Sequence, residues 1–495
     1  MEPTLREAAR RVVDRLQRAG FEAYWVGGCV RDMLLGQEPE DYDVATSARP
    51  EQVEALFPRT KAVGRAFGVV RVIEGSWSIE VATFRIEVGY EDGRHPAGVY
   101  FANAREDALR RDFTVNGLFY DPIRNELHDW VGGRADLESR QIRTIGLPED
   151  RFAEDHLRML RAVRLAAQLG FQIETGTWEA IRRLGGLLPR ISAERIRDEL
   201  LKLFAPRHAA RGLRMLRDSG LLAVILPELA AMVDCAQSPE HHPEGTVFDH
   251  VVRMLELMPP QSDRLLPWAI LLHDVGKPLT ARADPESGRI RFLDHEKVGE
   301  VLTRQMLERL RFPRKDIETV AFVVRHHMQF KDVPQMRKAT LRHLIMRPTF
   351  GLELELHRLD CLGSHGRLDI YEMLVRERSV MEAQPQLRPP LVTGHDLIAL
   401  GLQPGPVLGR LLAELRDRQL ADEITSREQA LAWIRAQLSS LARSPQVDMA
   451  GPTAQGREDS KFETTSAGGG ARPQSESLAD FGQTSGSSND AEARL

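Results

Sequence analysis

Two acids two positions apart, Asp41 and Asp43, follow a strand, glycine pair and helix in the run YWVGGCVRDMLLGQEPEDYDVAT. On an extended segment, carboxylates at i and i+2 leave the same face and offer hard oxygen ligands to one or two cations such as Mg²⁺. Gly27 and Gly28, at the turn from strand to helix, let backbone N–H groups approach a triphosphate, and the helix N-terminus adds a favourable dipole. Arg31 stands one turn into that helix, where a guanidinium can clamp phosphate oxygens. Cations so held would activate an attacking 3'-hydroxyl and neutralise a leaving pyrophosphate. A glycine pair alone is usually a turn, and DYD alone a solvated loop. In this order within seventeen residues they point to phosphoryl-transfer chemistry on a nucleotide.

Two further constellations follow. In EDHLRMLRAVRLAAQLGF, residues 154–171, a single helix would put Asp155 and Arg158 on one face, with Arg161 and Arg164 continuing the stripe. A carboxylate accepts from an exocyclic amine and a guanidinium donates to ring acceptors, so the pair matches the Watson–Crick edge of C or A and mismatches G and U. The bland alternative is a solvated salt bridge. After residue 240, His250, the adjacent His273 and Asp274 in LLHDVGKP, His295, His326, His327 and Asp360 begin or end apolar helices. His273 and Asp274 point in different directions, so one carboxylate could bridge two ions. Imidazoles select Mn, Fe, Ni or Zn over Mg, and a metal-bound hydroxide could attack a phosphate ester. His241 and His242 read as surface residues of the approach loop.

These residues need elements to hold them, and 495 residues predict about three domains. The first 130 residues alternate helix-like and strand-like runs: an amphipathic helix with Leu5, Ala8, Ala9, Val12, Val13 and Leu16 apolar, then FEAYWV, VGRAFGVVRVI, WSIEVATFRI, FTVNGLFYD and ELHDWV as strands. From about residue 150 the period is 3.6 throughout, broken by loops such as ADPESGRI. The predicted fold is an α/β head on a mixed sheet, followed by all-α domains. Residues 445–495 are rich in Gly, Ser, Thr, Pro and acid, and read as a disordered tail. Cys29, Cys235 and Cys361 are too scattered for a disulfide framework or thiolate zinc site. No run reaches the roughly 18 apolar residues of a membrane span, and the charged opening has no signal-peptide core, so the expectation is cytoplasmic.

Together these motifs resemble the class II tRNA nucleotidyltransferases, the CCA-adding family that includes bacterial poly(A) polymerases within the polymerase β superfamily, here with an HD phosphohydrolase domain. The resemblance implies a nucleotidyltransferase head over 1–140, a helical neck over 141–225 for base and tRNA binding, an HD domain over 226–375 and a helical region over 376–444. It implies CTP and ATP as substrates, the tRNA 3' acceptor end as partner and Mg²⁺ in the head. IEVATFR places Glu80 near the metals; RRDFTVNGLFYDP resembles the ribose and phosphate motif with Arg111, Asp112 and Asn116; DWVGGRADLESRQIRTIG resembles the hinge after the head. By family pattern Arg161 and Arg164 hold the triphosphate or orient Asp155, and Glu194 and Arg195 support the template helix. GYEDGRHPAGV, residues 89–99, resembles the family's flexible loop at full length, which argues against a CC-only enzyme. A-adding and poly(A)-adding enzymes share these motifs. An HD phosphodiesterase with a vestigial head, or a non-catalytic RNA-binding protein, is disfavoured by the intact Gly28, Arg31, Asp41, Asp43, Asp155 and Arg158. Oligomeric state stays open.

The net charge of -5 conflicts at first sight with RNA binding. The tail holds eight acids against four bases, however, and residues 151–217 carry fourteen Arg or Lys against seven Asp or Glu. A basic neck is therefore expected, with salt-sensitive affinity for an acceptor stem.

Overall fold

The N-terminal helix, Leu5–Arg18, begins at a capping box in which Thr4 Oγ1 accepts from Glu7 N and Glu7 Oε2 accepts from Thr4 N. Its apolar stripe, Ala8, Ala9, Val12, Val13 and Leu16, is buried against a sheet. A computed structural model describes residues 3–62, 68–90, 96–238, 244–286, 289–384 and 389–443. The chain divides into two compact units, Met1–Ile434 and Arg435–Leu495. The predicted disordered tail, and His241 and His242, lie outside the described residues.

Nine strands belong to the head: β1 (Ala23–Val26), β2 (Asp43–Thr46), β3 (Thr60–Ala62), β4 (Val69–Glu74), β5 (Trp77–Thr83), β6 (Arg85–Tyr90), β7 (Pro96–Phe101), β8 (Phe119–Asp121) and β9 (Glu126–His128). Seven form one sheet in the order β3-β4-β5-β2-β1-β8-β9. The β2–β5 pair is parallel and its neighbours are antiparallel, so the sheet is mixed. Alternation sends Ile79, Val81, Val44 and Trp25 into the main core with the first helix, while Asp43, Glu80 and Val26 line the other face. Part of the expected loop over 89–99 is strand instead: β6 and β7 pair through Tyr90 and Pro96, with 91–95 outside the described residues. The resemblance expects a flexible loop here, but backbone pairing carries the strands to Tyr90 and Pro96 at its two ends.

The remainder is largely helical, with two small corrections. Gln141–Ile142 pairs in parallel with Gln172–Ile173, and Ala281–Ala283 pairs with Ile290–Phe292 where ADPESGRI suggests only a loop. Strands this short carry no periodic signal of their own. One continuous core runs from the head through the neck to the HD region, crossing at edge-to-face contacts of Trp268 with Phe204 (5.6 Å) and Phe312 (4.8 Å). A second cluster, with Phe330, Leu344, Phe350, Leu374 and Met381, joins the C-terminal helices. Arg342, 1% exposed, crosses that region to Glu377 (2.8 Å) and Asp422 (2.6 Å).

The DWVGGR segment forms a tight turn rather than a slack one. The Asp129 carboxylate accepts four successive N–H groups, from Val131, Gly132, Gly133 and Arg134, at 2.8–3.1 Å. Gly132 is left-handed (φ 80°), and a Cβ on Gly133 would stand 2.2 Å from Thr114 O.

Candidate active sites

The first site is built on the face of the head sheet opposite the main core. Asp43 begins β2 and sits in register with Glu80 on β5, so both carboxylates leave the sheet side by side, with Asp41 in the loop just before. Arg71, opposite Glu80 on β4, reaches it at 3.7 Å. The protein atoms crowding Asp43, followed by repulsion from Asp41 and Glu80, push its carboxyl up to about 6. Its surface is nonetheless exposed, and the like-charge crowding is the better guide to its chemistry. Three acids share this face with, among the described residues, only Arg71 paired to one of them, and a divalent metal would relieve the excess negative charge.

Gly27 (φ 75°) stands at the start of helix Gly28–Leu34, and a Cβ there would approach Arg111 Nη1 to 3.2 Å. Arg31 is buried and fully engaged: Nε and Nη2 donate to Asp32 at 2.7 and 3.0 Å, and Nη1 donates to Asn116 Oδ1 at 2.7 Å. Asn116 Nδ2 in turn donates to Asp112 Oδ1 (3.1 Å). Arg161 of helix Leu157–Leu169 clamps Asp112 Oδ2 with Nε (2.9 Å) and Nη2 (2.6 Å). Burial would raise the Asp112 pKa, but Arg161 holds it well below the usual carboxylate range. Glu199, in helix Ala193–Leu203, accepts from Arg164 Nε (2.5 Å) and pairs with Arg161 (3.6 Å). An unbroken polar chain thus joins the glycine turn to the neck. Arg111 pairs with the buried Asp107 (3.0 Å) and lies over Phe119.

The expected shared helical face of Asp155 and Arg158 is not formed. Helix Pro148–Glu154 ends at Asp155, which is extended (φ -146°, ψ 105°), and the next helix starts at Leu157. Asp155 pairs with Arg195, Nη1 to Oδ1 at 3.2 Å and Nη2 to Oδ2 at 2.7 Å. Arg158 is turned inward, 8% exposed, to Glu154 and to Arg151 O (3.1 Å). The physical reason is burial: the helix buries Leu157, Met159, Leu160, Val163, Leu165 and Ala166, and a guanidinium among them requires local partners. The basic neck is also less free than its charge implies. Arg151, Arg158, Arg161, Arg164, Arg183, Arg195, Arg197, Arg214 and Arg217 are paired with acids, while Arg182, Arg190, Lys202 and Arg207 have no acidic partner among the described residues.

The second site gathers buried histidines around one carboxylate. His250, His273 and Asp274 form one group and Asp274, His295 and His327 another, with the ligand atoms of each within 4.8 Å, so Asp274 is common to both. The glycine of HDVGK has a packing reason. A Cβ on Gly276 would lie 2.2 Å from His295 O, and its absence lets helix His295–Arg309 start against this segment. The Nδ1 atoms of His273, His295 and His327 face the carbonyls of Ile270, Phe292 and Val324 at 2.7–2.8 Å, so each donates there and leaves a lone pair on Nε2. Two such lone pairs, on His295 and His327, stand 3.2 Å apart, and His273 Nε2 is buried without a hydrogen-bond partner 3.2 Å from Asp274 Oδ2. Burial, then the neighbouring His273, lowers His327 to about 3, so His327 presents its Nε2 lone pair. Facing acceptors of this kind fit a divalent cation.

His250 Nδ1 faces Glu244 at 2.6 Å and Nε2 faces Asp360 Oδ1 at 3.1 Å; burial opposes its charge, but these carboxylates raise it to about 9. Asp360 therefore reaches the cluster through His250. His326 does not join either group: its Nδ1 faces Phe322 O (2.8 Å) and its ring lies over Phe322. Neighbouring residues on a helix point about 100° apart, so only one of the two histidines can face Asp274, and it is His327. Lys277 binds Asp274 Oδ2 and Gln237 Oε1, each at 2.6 Å. Glu199 and Gln237 escaped sequence reasoning because their partners, Arg164 and Lys277, are distant in the chain, and Glu244 because a bend brings it to His250; Asp107, paired with Arg110 and Arg111 three and four residues on, carried a local spacing signal that could have found it.

A mixed-sheet head joined by a helical neck to a histidine and aspartate cluster defines the class, a nucleotidyltransferase head in series with an HD domain. Residues 23–143 match the poly(A) polymerase head domain, 170–233 the probable RNA and SrmB-binding site of polymerase A, and 247–356 the HD domain. The chain is 37% identical over 427 residues to the CC-adding tRNA nucleotidyltransferase of Thermus thermophilus, covering 83% of this chain and 93% of the relative. It is 35% identical over 425 residues to the A-adding tRNA nucleotidyltransferase of Deinococcus radiodurans, covering 83% and 94%. The crystal structure of the Bacillus stearothermophilus CCA-adding enzyme in complex with CTP superposes with a TM-score of 0.68 at 29% identity, over 90% of this chain and all of that one. The chain belongs to the tRNA nucleotidyltransferase and poly(A) polymerase family. Among the described residues no helix is long and apolar enough to cross a membrane.

Proposed function

We propose that this chain builds or repairs the 3'-terminal CCA of tRNA from CTP and ATP without a nucleic-acid template, releasing pyrophosphate in the cytoplasm. The observation that carries the reading is the side-by-side placement of Asp43 and Glu80, with Asp41 adjoining, on a sheet face tied by Arg31, Asn116, Asp112 and Arg161 to the neck. Asp41 and Asp43 are the residues to hold Mg²⁺, which when bound polarises the primer hydroxyl and offsets the charge of pyrophosphate. Gly27 and Gly28 keep the turn open to a triphosphate. Arg111, Asp112 and Asn116 hold ribose and phosphate, and Asp155 with Arg158 reads the base once Arg158 is drawn from the Glu154 carboxylate and the Arg151 carbonyl. Full CCA addition is preferred to CC-only addition because the 89–99 segment is of full length. The same motifs serve A-adding and poly(A)-adding relatives, which is the second reading.

In the HD domain, His250, His273, Asp274, His295, His327 and Asp360 are the residues to hold Mn, Fe, Ni or Zn, consistent with imidazole-rich ligation. They support a secondary phosphohydrolase activity. The Asp41→Ala/Asp43→Ala protein is offered tRNA lacking CCA, with CTP and ATP separately and together, and the products are sequenced. Addition is expected to vanish while metal-dependent phosphate release persists. Addition that survives overturns the head assignment, and incorporation of A alone onto a CC end by the unaltered protein overturns the full-CCA reading.

A further inference from the structure

The histidine and aspartate cluster borders a cavity of about 320 Å³ whose lining includes His327 and Asp360 together with Lys331 and Arg367. Neither cation has a carboxylate partner among the described residues, in a protein where most arginines do. Phe330 and His357, stacked at 4.8 Å and 20°, give the same cavity a flat wall. The lining contains one further acid, Asp369, in the first turn of helix Asp369–Ala383.

A phosphate ester that presents its scissile phosphate to the cluster meets Asp274, Asp360 and the nearby Glu244, and these carboxylates repel any second anion beyond the reach of the metal-ligating groups. Unpaired Lys and Arg side chains on a cavity wall supply the opposite field, and their donors suit phosphate oxygens. We propose that Lys331 and Arg367 form an anion-binding rim for a second phosphate, so that the HD site takes small phosphate esters bearing two phosphate groups in preference to one. This rests on the hydrolase reading for turnover, though not for binding.

The test uses the full chain loaded with Mn²⁺ and titrated calorimetrically with glucose 1,6-bisphosphate and glucose 6-phosphate, with phosphate release followed in parallel. The bisphosphate is expected to bind at least about tenfold more tightly, the effect of one added charged hydrogen bond. Lys331→Ala/Arg367→Ala should erase that preference while leaving glucose 6-phosphate affinity, manganese content and CMP incorporation unchanged. Equal affinity of the unaltered protein for the two sugars, or a preference that survives the double substitution, overturns the proposal. A rim-dependent preference without phosphate release supports the rim and removes the hydrolase reading; release without preference does the reverse.

Discussion

Replacing Arg195 by methionine keeps most of the side chain's aliphatic length and deletes its guanidinium. That guanidinium supplies two of the three donors on Asp155; the third is Leu157 N, at 3.1 Å from Oδ1. A carboxylate offers about four lone-pair sites, so three donors leave one, on Oδ2, for the exocyclic amine of an incoming C or A. Without Arg195 only the Leu157 contact restrains the group, which then turns about its Cβ–Cγ bond. Hydrogen bonds between charged groups contribute roughly 1.5–3 kcal/mol. The side chains are 28% and 19% exposed, so solvent competes and about 2 kcal/mol is the appropriate figure, close to thirtyfold in kcat/KM. CTP and ATP should each lose about that factor, whereas GTP and UTP, lacking an amine in register with Asp155, should change little. Single-nucleotide addition kinetics with each of the four triphosphates on tRNA lacking its terminal nucleotides measure the ratio. A folded Arg195→Met protein that retains its full selectivity for C and A refutes the assignment of base reading to Asp155.

Other perturbations follow from the two sites. Asp43 titrates near 6 rather than its ordinary 3.8, so in the metal-free fold it binds its proton more tightly than in the unfolded chain, and stability falls as pH rises through that interval. Asp43→Asn should therefore melt higher than the unaltered protein at neutral pH in EDTA, with the gain lost below about pH 4, while nucleotide addition disappears; a lower melting temperature at neutral pH contradicts the crowding argument. His295→Ala or His327→Ala should roughly halve the manganese bound per chain in elemental analysis and leave CMP incorporation intact, because Asp274 with His250 and His273 forms a group of its own. Gly276→Ala forces a Cβ against His295 O; a destabilisation of about 1–3 kcal/mol in denaturant melts, together with loss of bound manganese, is expected.

Local chemistry makes part of this molecule readable in its sequence. The first helix carries its own cap and stripe, and the head's α/β alternation and the helical remainder follow from hydrophobic periods that each segment contains. HDVGK brings its ligand pair and packing glycine in one pentapeptide. What escaped depends on partners far along the chain. The break at Asp155 is invisible in a window that is amphipathic throughout, because the residue that holds Asp155 lies forty positions later. Counting charges identified a basic neck but not that most of its arginines face acids, some of them in other segments, such as Asp112 and Glu256. His326 and His327 are chemically equal in sequence, and only helix phase separates them.

The polar chain from Asp32 through Arg31, Asn116, Asp112 and Arg161 to Glu199 also limits how the protein can be recombined. Its long links span 85 residues from Arg31 to Asn116 and 49 from Asp112 to Arg161, so a chimaera that exchanges the first 140 residues with those of a relative severs a charge pair at Asp112 and Arg161 unless both ends match. A cassette cut from this chain therefore has to carry the helices Leu157–Leu169 and Ala193–Leu203 along with the sheet, because a head transplanted without the first would leave Asp112 without the charge of Arg161.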